Sequence, residues 1–318
     1  MLIVTGGAGF IGSNLIHALN RAGHDEIAVV DEFRDADAFR NLNRCRFREL
    51  RRPGEFLAGF EAGEWPAVEA VLHQGACSST TEKDGRYLLE TNIDFTRRLL
   101  AACQRRRVRL LYASSASVYG DGADGFVDDR PECEYPLNGY AFSKWVVDRE
   151  VRALLAAGTP AAQVVGLRYF NVYGPQEWHK GGMCSPVLHF HRQIGEHGAL
   201  RLFAGSEGFR RDFIHVDDVC AVNLHFLRRP QVSGIFNCGT GEAHSFAEVA
   251  DAMLPHYPGA RREEIPFPPH LKGKYQAYTC ADLRRLREAG FTRGFLPLAL
   301  GVRQYVELLR SRHGGYLP

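Results

Sequence analysis

The chain begins MLIVTGGAGFIGSNLIHALNRAGHDEIAVVD over residues 1–31, and these residues indicate the fold. Residues 2–5 form an apolar, β-branched run that predicts a strand, and residues 13–21 repeat apolar side chains at helical spacing. A second apolar run, residues 27–30, ends on Asp31. Strand, glycine turn, helix, strand and acid follow in the order found in dinucleotide-binding sites. The stretch therefore predicts that the protein binds a dinucleotide.

The glycines and the acid of this stretch have separate predicted roles. Gly7 permits a tight turn, Gly9 lets the backbone approach a pyrophosphate, and Gly12 lets the helix pack close to the strand. The helix N-terminus offers unpaired N–H groups to the phosphates. Asp31 follows Gly12 at close to the ~20-residue spacing at which a carboxylate binds the adenosine ribose. An ordinary glycine-rich turn is the alternative, and the flanking strands and the acid argue against it.

Composition restricts the class of protein. The 318 residues are 45% hydrophobic and 24% charged with a net charge of +2, which is typical of a soluble globular protein and unlike a nucleic-acid-binding surface. Eight scattered cysteines without a C-x-x-C pair predict reduced thiols in the cytoplasm and no metal site. We expect no signal peptide, because the chain enters a strand at once, and no apolar run approaches the ~18 residues of a membrane span.

The rest of the chain alternates strands and helices. Strands are predicted over 68–73, 108–113 and 163–168, and helices over 84–105 and from 136 to about 157. This alternation predicts an α/β protein with a Rossmann-type doubly wound parallel sheet. A smaller α/β substrate-binding domain is expected from insertions and the C-terminal third. We assign residues 1–171, about 213–240 and the C-terminal helix to the dinucleotide-binding domain, and about 172–212 and 241–298 to the substrate-binding domain.

Three side chains predict the chemistry. Ser115 ends a strand, and Tyr140 and Lys144 lie four residues apart and so share one helix face. A nearby ammonium favours the phenolate and lowers the pKa of a tyrosine from its usual ~10. Tyr140 would then take a proton from a substrate hydroxyl that Ser115 holds in line while hydride leaves for a nicotinamide. A surface Tyr–Lys pair is the alternative, and the dinucleotide turn argues against it.

These motifs resemble the extended short-chain dehydrogenase/reductase superfamily and its nucleotide-sugar epimerases. The matching segments are TGGAGFIG (5–12), SSA (114–116), YAFSK (140–144), RYFNVYGP (168–175) and RDFIHVDDV (211–219). A narrower resemblance, to the ADP-heptose 6-epimerases that supply heptose for lipopolysaccharide, is carried by QGACSSTTE (74–82), EWHKGGM (177–183), LFAGSE (202–207) and LKGKYQA (271–277). That resemblance implies inversion of C6″ of ADP-D-glycero-D-manno-heptose through a 6″-ketone, with tightly bound NADP.

The resemblance also implies roles for individual residues. Tyr140 and Lys180 would be two acid/base groups on opposite sides of the substrate, while Lys144 activates Tyr140 and binds the nicotinamide ribose. The implied cofactor-binding residues are Gly6, Gly9, Phe10, Ile11, Gly12, Asp31, Glu32, Gln74, Gly75, Ala76, Cys77, Ser78, Asn92, Lys144, Val172 and Lys180. The implied substrate-binding residues are Ser115, Asn171, Gly182, His189, Phe203, Ala204, Gly205, Ser206, Arg211 and Tyr275.

Two positions depart from the family pattern, and several alternatives stay open. Gly182 replaces a serine that contacts substrate, and Ala38 stands where a lysine often reaches the cofactor. Asp31 favours NAD, whereas Arg34, Arg40 and Arg52 could accept the 2′-phosphate of NADP. A 4,6-dehydratase would need an acid pair directly after Ser115, whereas a UDP-hexose 4-epimerase or a non-catalytic dinucleotide sensor could share this fold. The family also implies a homo-oligomer, a homopentamer, that binds neither nucleic acid nor membrane.

Overall fold

Twelve strands are found in the described part of the computed structural model, which covers residues 1–65, 67–268 and 276–318. They are β1 (Leu2–Thr5), β2 (Ile27–Val30), β3 (Glu49–Arg51), β4 (Ala70–His73), β5 (Arg109–Ser115), β6 (Val164–Tyr169), β7 (Asn171–Tyr173), β8 (Ala199–Phe203), β9 (Arg210–His215), β10 (Gly234–Cys238), β11 (Ala243–Ser245) and β12 (Arg261–Ile265). The predicted strands after β1 are all present, with ends shifted by one or two residues.

Ten α-helices in the same part of the chain connect and cover these strands. They are α1 (Phe10–Arg21), α2 (Pro53–Ala62), α3 (Gly85–Leu88), α4 (Phe95–Arg106), α5 (Gly139–Ala156), α6 (Pro186–His197), α7 (Val216–Leu227), α8 (Phe246–Met253), α9 (Arg284–Glu288) and α10 (Leu298–Arg310). A π-helical turn, Leu89–Asp94, joins α3 to α4, so the helix predicted over 84–105 contains a local widening. Among the described helices, none combines the length and apolarity that crossing a membrane requires.

The large sheet has seven parallel strands in the order β3-β2-β1-β4-β5-β6-β10. The chain runs outward from β1 to β3, returns to β4 on the other side of β1, and then continues to β6. Ligands of such sheets bind beyond the carboxyl ends of the strands, where the strand order reverses. That point lies between β1 and β4. The predicted fold class, a doubly wound Rossmann-type sheet, is confirmed.

Both faces of this sheet are buried, as a parallel sheet requires. Along β1 the side chains alternate, so that Leu2 and Val4 enter a core cluster with α1 and α7, while Ile3 enters a second cluster with α2, α4 and α5. The four residues of β1 are all buried. The apolar run that predicted this strand therefore reflects burial on both faces of the sheet. This burial holds β1 in place, and the glycine turn follows directly after it.

A smaller part of the molecule is built from later elements. One sheet has the order β11-β9-β7, and β12 pairs in parallel with β8. A third core cluster joins α6, α8 and α10 through apolar side chains that include Leu188, Val249 and Val306. The C-terminal helix α10 thus packs with α6 and α8, and this packing differs from its predicted grouping with the dinucleotide-binding domain. The apolar face of α10 predicts that the helix is packed against a core, but it does not indicate which part of the molecule supplies that core.

Candidate active site

The glycine turn joins β1 to α1 with very little space between backbone atoms. Gly6 has a φ of +63°, and a Cβ there would lie 2.6 Å from Gly75 Cα. A Cβ on Gly12 would lie 2.0 Å from the carbonyl oxygen of Gly6. The predicted close packing at Gly12 is confirmed. Gly6 adopts the left-handed conformation in this turn, and a Cβ on Gly7 would lie 2.8 Å from Val29 Cγ1, so the turn needs both glycines. The backbone here forms a cradle from which side chains are excluded.

Helix α1 begins directly after this cradle. Its N-cap residue Gly9 has no side chain to accept a backbone hydrogen bond, and the first turn carries no acidic residue. The first N–H groups of a helix lack intrahelical partners and attract anions. The cradle and the uncapped α1 therefore fit the pyrophosphate of a dinucleotide.

Asp31 is held beside the turn at the end of β2. Its Oδ2 accepts a hydrogen bond from Ala8 N at 3.0 Å, and its Oδ1 accepts one from Phe33 N at 2.9 Å. These two bonds fix the carboxylate against the backbone of the turn, where the adenosine ribose of a dinucleotide would lie. The neighbouring Glu32 is exposed. The arrangement fits the predicted role of Asp31.

The segment 74–78 follows β4 and lies against the turn. The side-chain Oε1 of Gln74 accepts a hydrogen bond from the hydroxyl of Tyr169 at 3.0 Å, whereas its buried Nε2 has no partner among the described residues. An unsatisfied buried amide donor is costly unless a ligand accepts from it. This orphaned donor beside the glycine cradle is what a pocket for a polar cofactor requires.

Asn92 connects this segment to helix α5. Its Oδ1 accepts from Cys77 N at 2.8 Å, and its Nδ2 donates to Cys77 O at 3.0 Å and to Ser143 Oγ at 2.9 Å. The side chain is 1% exposed and lies in the π-helical turn before α4. Asn92 therefore supports the cofactor segment by holding its backbone, a contact that sequence reasoning did not specify.

Ser115, Tyr140 and Lys144 come together as predicted. Ser115 ends β5 and lies close enough to the hydroxyl of Tyr140, near the start of α5, to favour the ionised phenol. Lys144, one turn later on α5, has its Nζ 5.9 Å from the Tyr140 ring centroid and donates to Ala113 O at 2.8 Å. Asn138 caps the helix by accepting from Ala141 N at 2.9 Å. Strand β5 and the first turns of α5 thus hold the three groups in one place.

The pKa of Tyr140 differs from the lowered value that the sequence predicted. Burial raises the pKa of Tyr140, and its hydrogen bond with Ser115 only partly offsets this. Burial also lowers the pKa of Lys144 to about 8, against the attraction of Asp148. The expected lowering of the Tyr140 pKa is therefore not found in the protein alone, where burial of the phenol is the largest influence on that pKa.

A network of buried charged side chains lies one helical turn beyond Lys144. Asp148 lies one turn further along α5 and accepts from Tyr112 Oη at 2.8 Å, Ser114 Oγ at 2.9 Å and Arg168 Nε at 2.8 Å. Arg168 is fully buried and also pairs with the carboxylate of Glu134. Such buried charges persist because each is paired and hydrogen-bonded. The sequence offered one signal for this network, the spacing of Asp148 four residues after Lys144.

Lys180 is carried to the glycine turn by a loop anchored on α1. Asn14 Nδ2 donates to Pro175 O at 2.9 Å, and Gln176 Nε2 donates to Ser13 Oγ at 3.2 Å. The buried Glu177 accepts from Ser185 N at 2.6 Å at the N-cap of α6. Lys180 then lies over the Phe10 ring, with Nζ 5.1 Å from the centroid. Gln176 and Glu177 shape this loop, and sequence reasoning did not single them out.

The expected substrate-binding residues fall on the smaller part of the molecule. Arg211 on β9 is 5% exposed, which excludes an exposed surface arginine, and its Nη1 donates to Arg210 O at 3.0 Å. Phe203 ends β8, and Ala204 N donates to Ile265 O at 2.8 Å on the paired strand, while Ser206 is buried. Tyr275 lies outside the described residues.

The other expected site residues have the following surroundings. Asn171 is exposed on β7, where its Oδ1 accepts from Thr279 Oγ1 at 3.4 Å, and the exposed His189 lies 3.0 Å from Gln193 Nε2. Gly182 is exposed in the Lys180 loop. Ala38 is buried against the first core cluster, so this departure from the family pattern fills a packing position.

Comparisons with known proteins agree with this geometry. The sequence model of the NAD dependent epimerase/dehydratase family matches residues 2–239. A relative from Brachyspira hyodysenteriae named ADP-L-glycero-D-manno-heptose-6-epimerase is 50% identical over 321 residues, covering all of both chains. The crystal structure of the Helicobacter pylori enzyme of that name is 28% identical, with a TM-score of 0.83 and coverage of 98% of this chain and 96% of that chain.

A further solved structure is similar over almost its whole length. It is the UDP-glucose 4-epimerase of Thermus thermophilus in complex with NAD, 28% identical with a TM-score of 0.79, covering 98% of this chain and 99% of that chain. The glycine cradle, the orphaned Gln74 amide and the NAD dependent family together assign a nicotinamide dinucleotide to the pocket. The chain belongs to the NAD dependent epimerase/dehydratase family, in the group that contains the ADP-L-glycero-D-manno-heptose-6-epimerases.

Proposed function

We propose that this enzyme inverts C6″ of ADP-D-glycero-D-manno-heptose to give ADP-L-glycero-D-manno-heptose, the heptose donor for lipopolysaccharide. The observation that carries the proposal is the Ser115–Tyr140–Lys144 cluster beside a dinucleotide cradle. The 50% identity to a relative with this activity in its name favours a 6-epimerase over a UDP-hexose 4-epimerase or a non-catalytic sensor. Ser115 is followed by Ala116 and Ser117, so the acid pair of a 4,6-dehydratase is missing from that position.

The reaction requires a group that removes hydride and returns it, and a bound nicotinamide dinucleotide supplies this chemistry. The residues proposed to hold it are those of the glycine turn, Asp31 and Glu32, the segment 74–78, Asn92, Lys144, Val172 and Lys180. Lys144 would bind the nicotinamide ribose through its buried Nζ. The Gln74 amide, which lacks a partner among the described residues, would donate to the cofactor.

We propose that Tyr140 and Lys180 exchange protons with the C6″ oxygen from opposite sides. One group takes the hydroxyl proton as C6″ is oxidised to a ketone, and the other gives a proton to the oxygen when hydride returns to the other face. Ser115 would hold the oxygen through its hydroxyl. Two proton donors are expected because the ketone must reorient between the two steps, so that its oxygen meets a different group in each. Arg211, a buried side chain on β9, would pair with the diphosphate of the substrate.

The proposed cofactor is NADP. Both oxygens of Asp31 already accept backbone N–H groups, and the exposed segment that follows carries Arg34 and Arg40. A guanidinium in this segment suits a 2′-phosphate. Calorimetry on protein freed of cofactor would compare the two dissociation constants. Tighter binding of NADP is expected, and equal or tighter binding of NAD would contradict this choice.

Two further parts of the proposal concern the whole protein. Residues 1–171 and about 213–240 would bind the dinucleotide, and residues 172–212 and 241–298 would bind the nucleotide sugar together with α10. The protein would be a cytoplasmic homo-oligomer, a homopentamer. Exposed apolar side chains near the start of α5, among them Tyr135, Leu137 and Phe142, support self-association.

The decisive experiment is product analysis with purified protein and ADP-D-glycero-D-manno-heptose. NMR should detect the L-glycero epimer at unchanged mass. Loss of water would reveal a dehydratase, and inversion at C4″ would reveal a 4-epimerase. Recovery of unchanged substrate from protein that is fully loaded with NADP would contradict the proposed function.

A further inference from the structure

His73 is a buried histidine at the carboxyl end of β4, directly before the cofactor segment 74–78. It is 2% exposed and stacks on Phe95, with 5.6 Å between ring centroids. Its Nδ1 lies 2.6 Å from Thr5 Oγ1, and its Nε2 lies 2.9 Å from Thr96 Oγ1. Both ring nitrogens therefore bridge side chains from two different elements, β1 and α4.

The neighbouring bonds determine which nitrogen carries the proton. Thr96 Oγ1 donates its hydrogen to Asn92 O at 2.7 Å, so it must accept from His73 Nε2. Thr5 Oγ1 accepts from Gly75 N at 3.2 Å, and its own hydrogen is free to go to His73 Nδ1. His73 is thus neutral, with its hydrogen on Nε2. Burial, together with the nearby Lys144 charge, lowers the pKa of His73 to about 3, so the ring stays neutral.

The chain of bonds continues from Thr96 to the catalytic helix. Asn92, whose carbonyl accepts from Thr96, holds both the N–H and the carbonyl of Cys77 through its side chain. Asn92 Nδ2 also donates to Ser143 Oγ, and Ser143 Oγ donates to Tyr140 O at 2.7 Å. Every donor in the chain has a defined acceptor. Thr5, His73, Thr96, Asn92 and Ser143 therefore connect the end of β1 to the backbone of Tyr140.

We propose that His73 is a positioning residue for the reaction: through this buried chain it sets the cofactor segment and the Tyr140 helix at a fixed separation. The inference rests on the proposed function for its kinetic test. Hydride and proton transfer both depend on that separation, since the cofactor lies against residues 74–78 and the proton moves at Tyr140. A chain of bonds with one possible proton arrangement resists sliding better than an apolar contact, because breaking it leaves buried polar groups unpaired.

The test compares His73→Phe with His225→Phe. His225 on α7 also has both ring nitrogens within 3.0 Å of partners, Ala289 O and Arg229 Nη1, but it lies outside the chain of bonds. We expect His73→Phe to lower kcat about 10- to 100-fold, as for a modest displacement of reacting groups. KM for ADP-D-glycero-D-manno-heptose should change less than about twofold, since the substrate contacts themselves are kept. His225→Phe should keep kcat, although both variants lose some thermal stability.

A second pair of measurements separates this role from plain structural support. Thr96→Val breaks the same chain at the next link, so adding it to His73→Phe should lower kcat by less than about a further twofold, because the two residues act in series. Hydrogen exchange of the cofactor-loaded protein should be at least about tenfold faster at the Cys77 amide in His73→Phe and in Thr96→Val, because local opening there becomes easier. It should be unchanged at Cys77 in His225→Phe.

The outcomes distinguish the inference from the proposed function. If wild-type protein does not act on ADP-heptose, the proposed function fails, and hydrogen exchange still tests the role of His73. The inference is overturned if His73→Phe retains kcat within about twofold, if the losses of the double variant multiply, or if Cys77 exchange does not change. Should His73→Phe fail to fold, the smaller Thr96→Val change decides by its own kcat and its Cys77 exchange.

Discussion

At the scale of single residues, the two proposed proton-transfer groups can be tested separately. Tyr140→Phe removes the phenol, and Lys180→Met removes the ammonium while keeping a side chain of similar length. We expect each to reduce C6″ inversion by at least the ~10²–10⁴-fold typical of a positioned acid/base group. NMR of the product mixture measures the rate. Lys144→Met should instead weaken cofactor binding as well as the rate, because its Nζ lies buried at the proposed ribose site.

An aldehyde analogue of the substrate, oxidised at C6″, separates the half-reactions from inversion. Each single variant should keep some turnover on it, and the Tyr140→Phe, Lys180→Met double variant essentially none. Lys83→Met is the matched control, since Lys83 is exposed. Wild-type inversion by Lys180→Met would make Lys180 an ordinary loop residue and exclude the two-base mechanism.

At the scale of elements, the close approach of β1 and α1 depends on a missing side chain. Gly12→Ala would place a Cβ 2.0 Å from the carbonyl oxygen of Gly6. The turn or α1 must then move, at a cost of about 1–3 kcal/mol for overpacking, and the cradle for the pyrophosphate opens. Urea unfolding should show this loss of stability, and calorimetry should show at least about tenfold weaker NADP binding, since the phosphate contacts depend on the close backbone approach.

Gly195→Ala in α6 is the control for this prediction. A Cβ at Gly195 meets nothing within 4 Å, and the residue is exposed in a helix. Alanine there should raise the free energy of unfolding by about 0.5–1 kcal/mol, because glycine is the poorer helix former. If Gly12→Ala behaved like Gly195→Ala, the turn would have space that the structure excludes.

At the scale of the whole molecule, stability depends on pH through histidines that are buried in the neutral form. The pKa of His73 is about 3 in the folded protein and ~6.5 when unfolded. Below about pH 6.5 the unfolded chain therefore binds more protons at this residue, and stability falls as the pH falls. Between about pH 6.5 and 4.5 His73 alone should remove about 2 kcal/mol from the free energy of unfolding.

Urea unfolding of wild type and His73→Phe across this range measures the effect. The variant should be less stable at about pH 6.5, and its stability should fall by about 2 kcal/mol less on acidification. Burial raises the pKa of carboxyls such as Asp128 and Asp212, which opposes the trend, but these groups are common to both proteins and cancel in the difference. Parallel curves would mean that His73 titrates normally in the folded protein.

Features that depend on residues close together along the chain could be predicted from the sequence. The glycine turn, the strand ending on Asp31 and the Tyr140–Lys144 spacing were readable because turn conformation, burial on two sheet faces and helix periodicity are local properties. The parallel sheet followed from the alternation of strands and helices. Family resemblance then gave the roles of residues whose own patterns, such as a lysine in a loop, carry no signal.

The tertiary structure was needed for the features that join distant segments. It showed that Gly6 must lack a side chain, since the turn lies against the backbone of Gly75 in the segment after β4. It raised the pKa of Tyr140, because burial acts through surrounding atoms that no spacing reveals. The packing of α10 with α6 and α8, and the chain of bonds through His73, bring together residues far apart in sequence. Such contacts depend on how the elements pack in three dimensions, and local patterns do not contain that information.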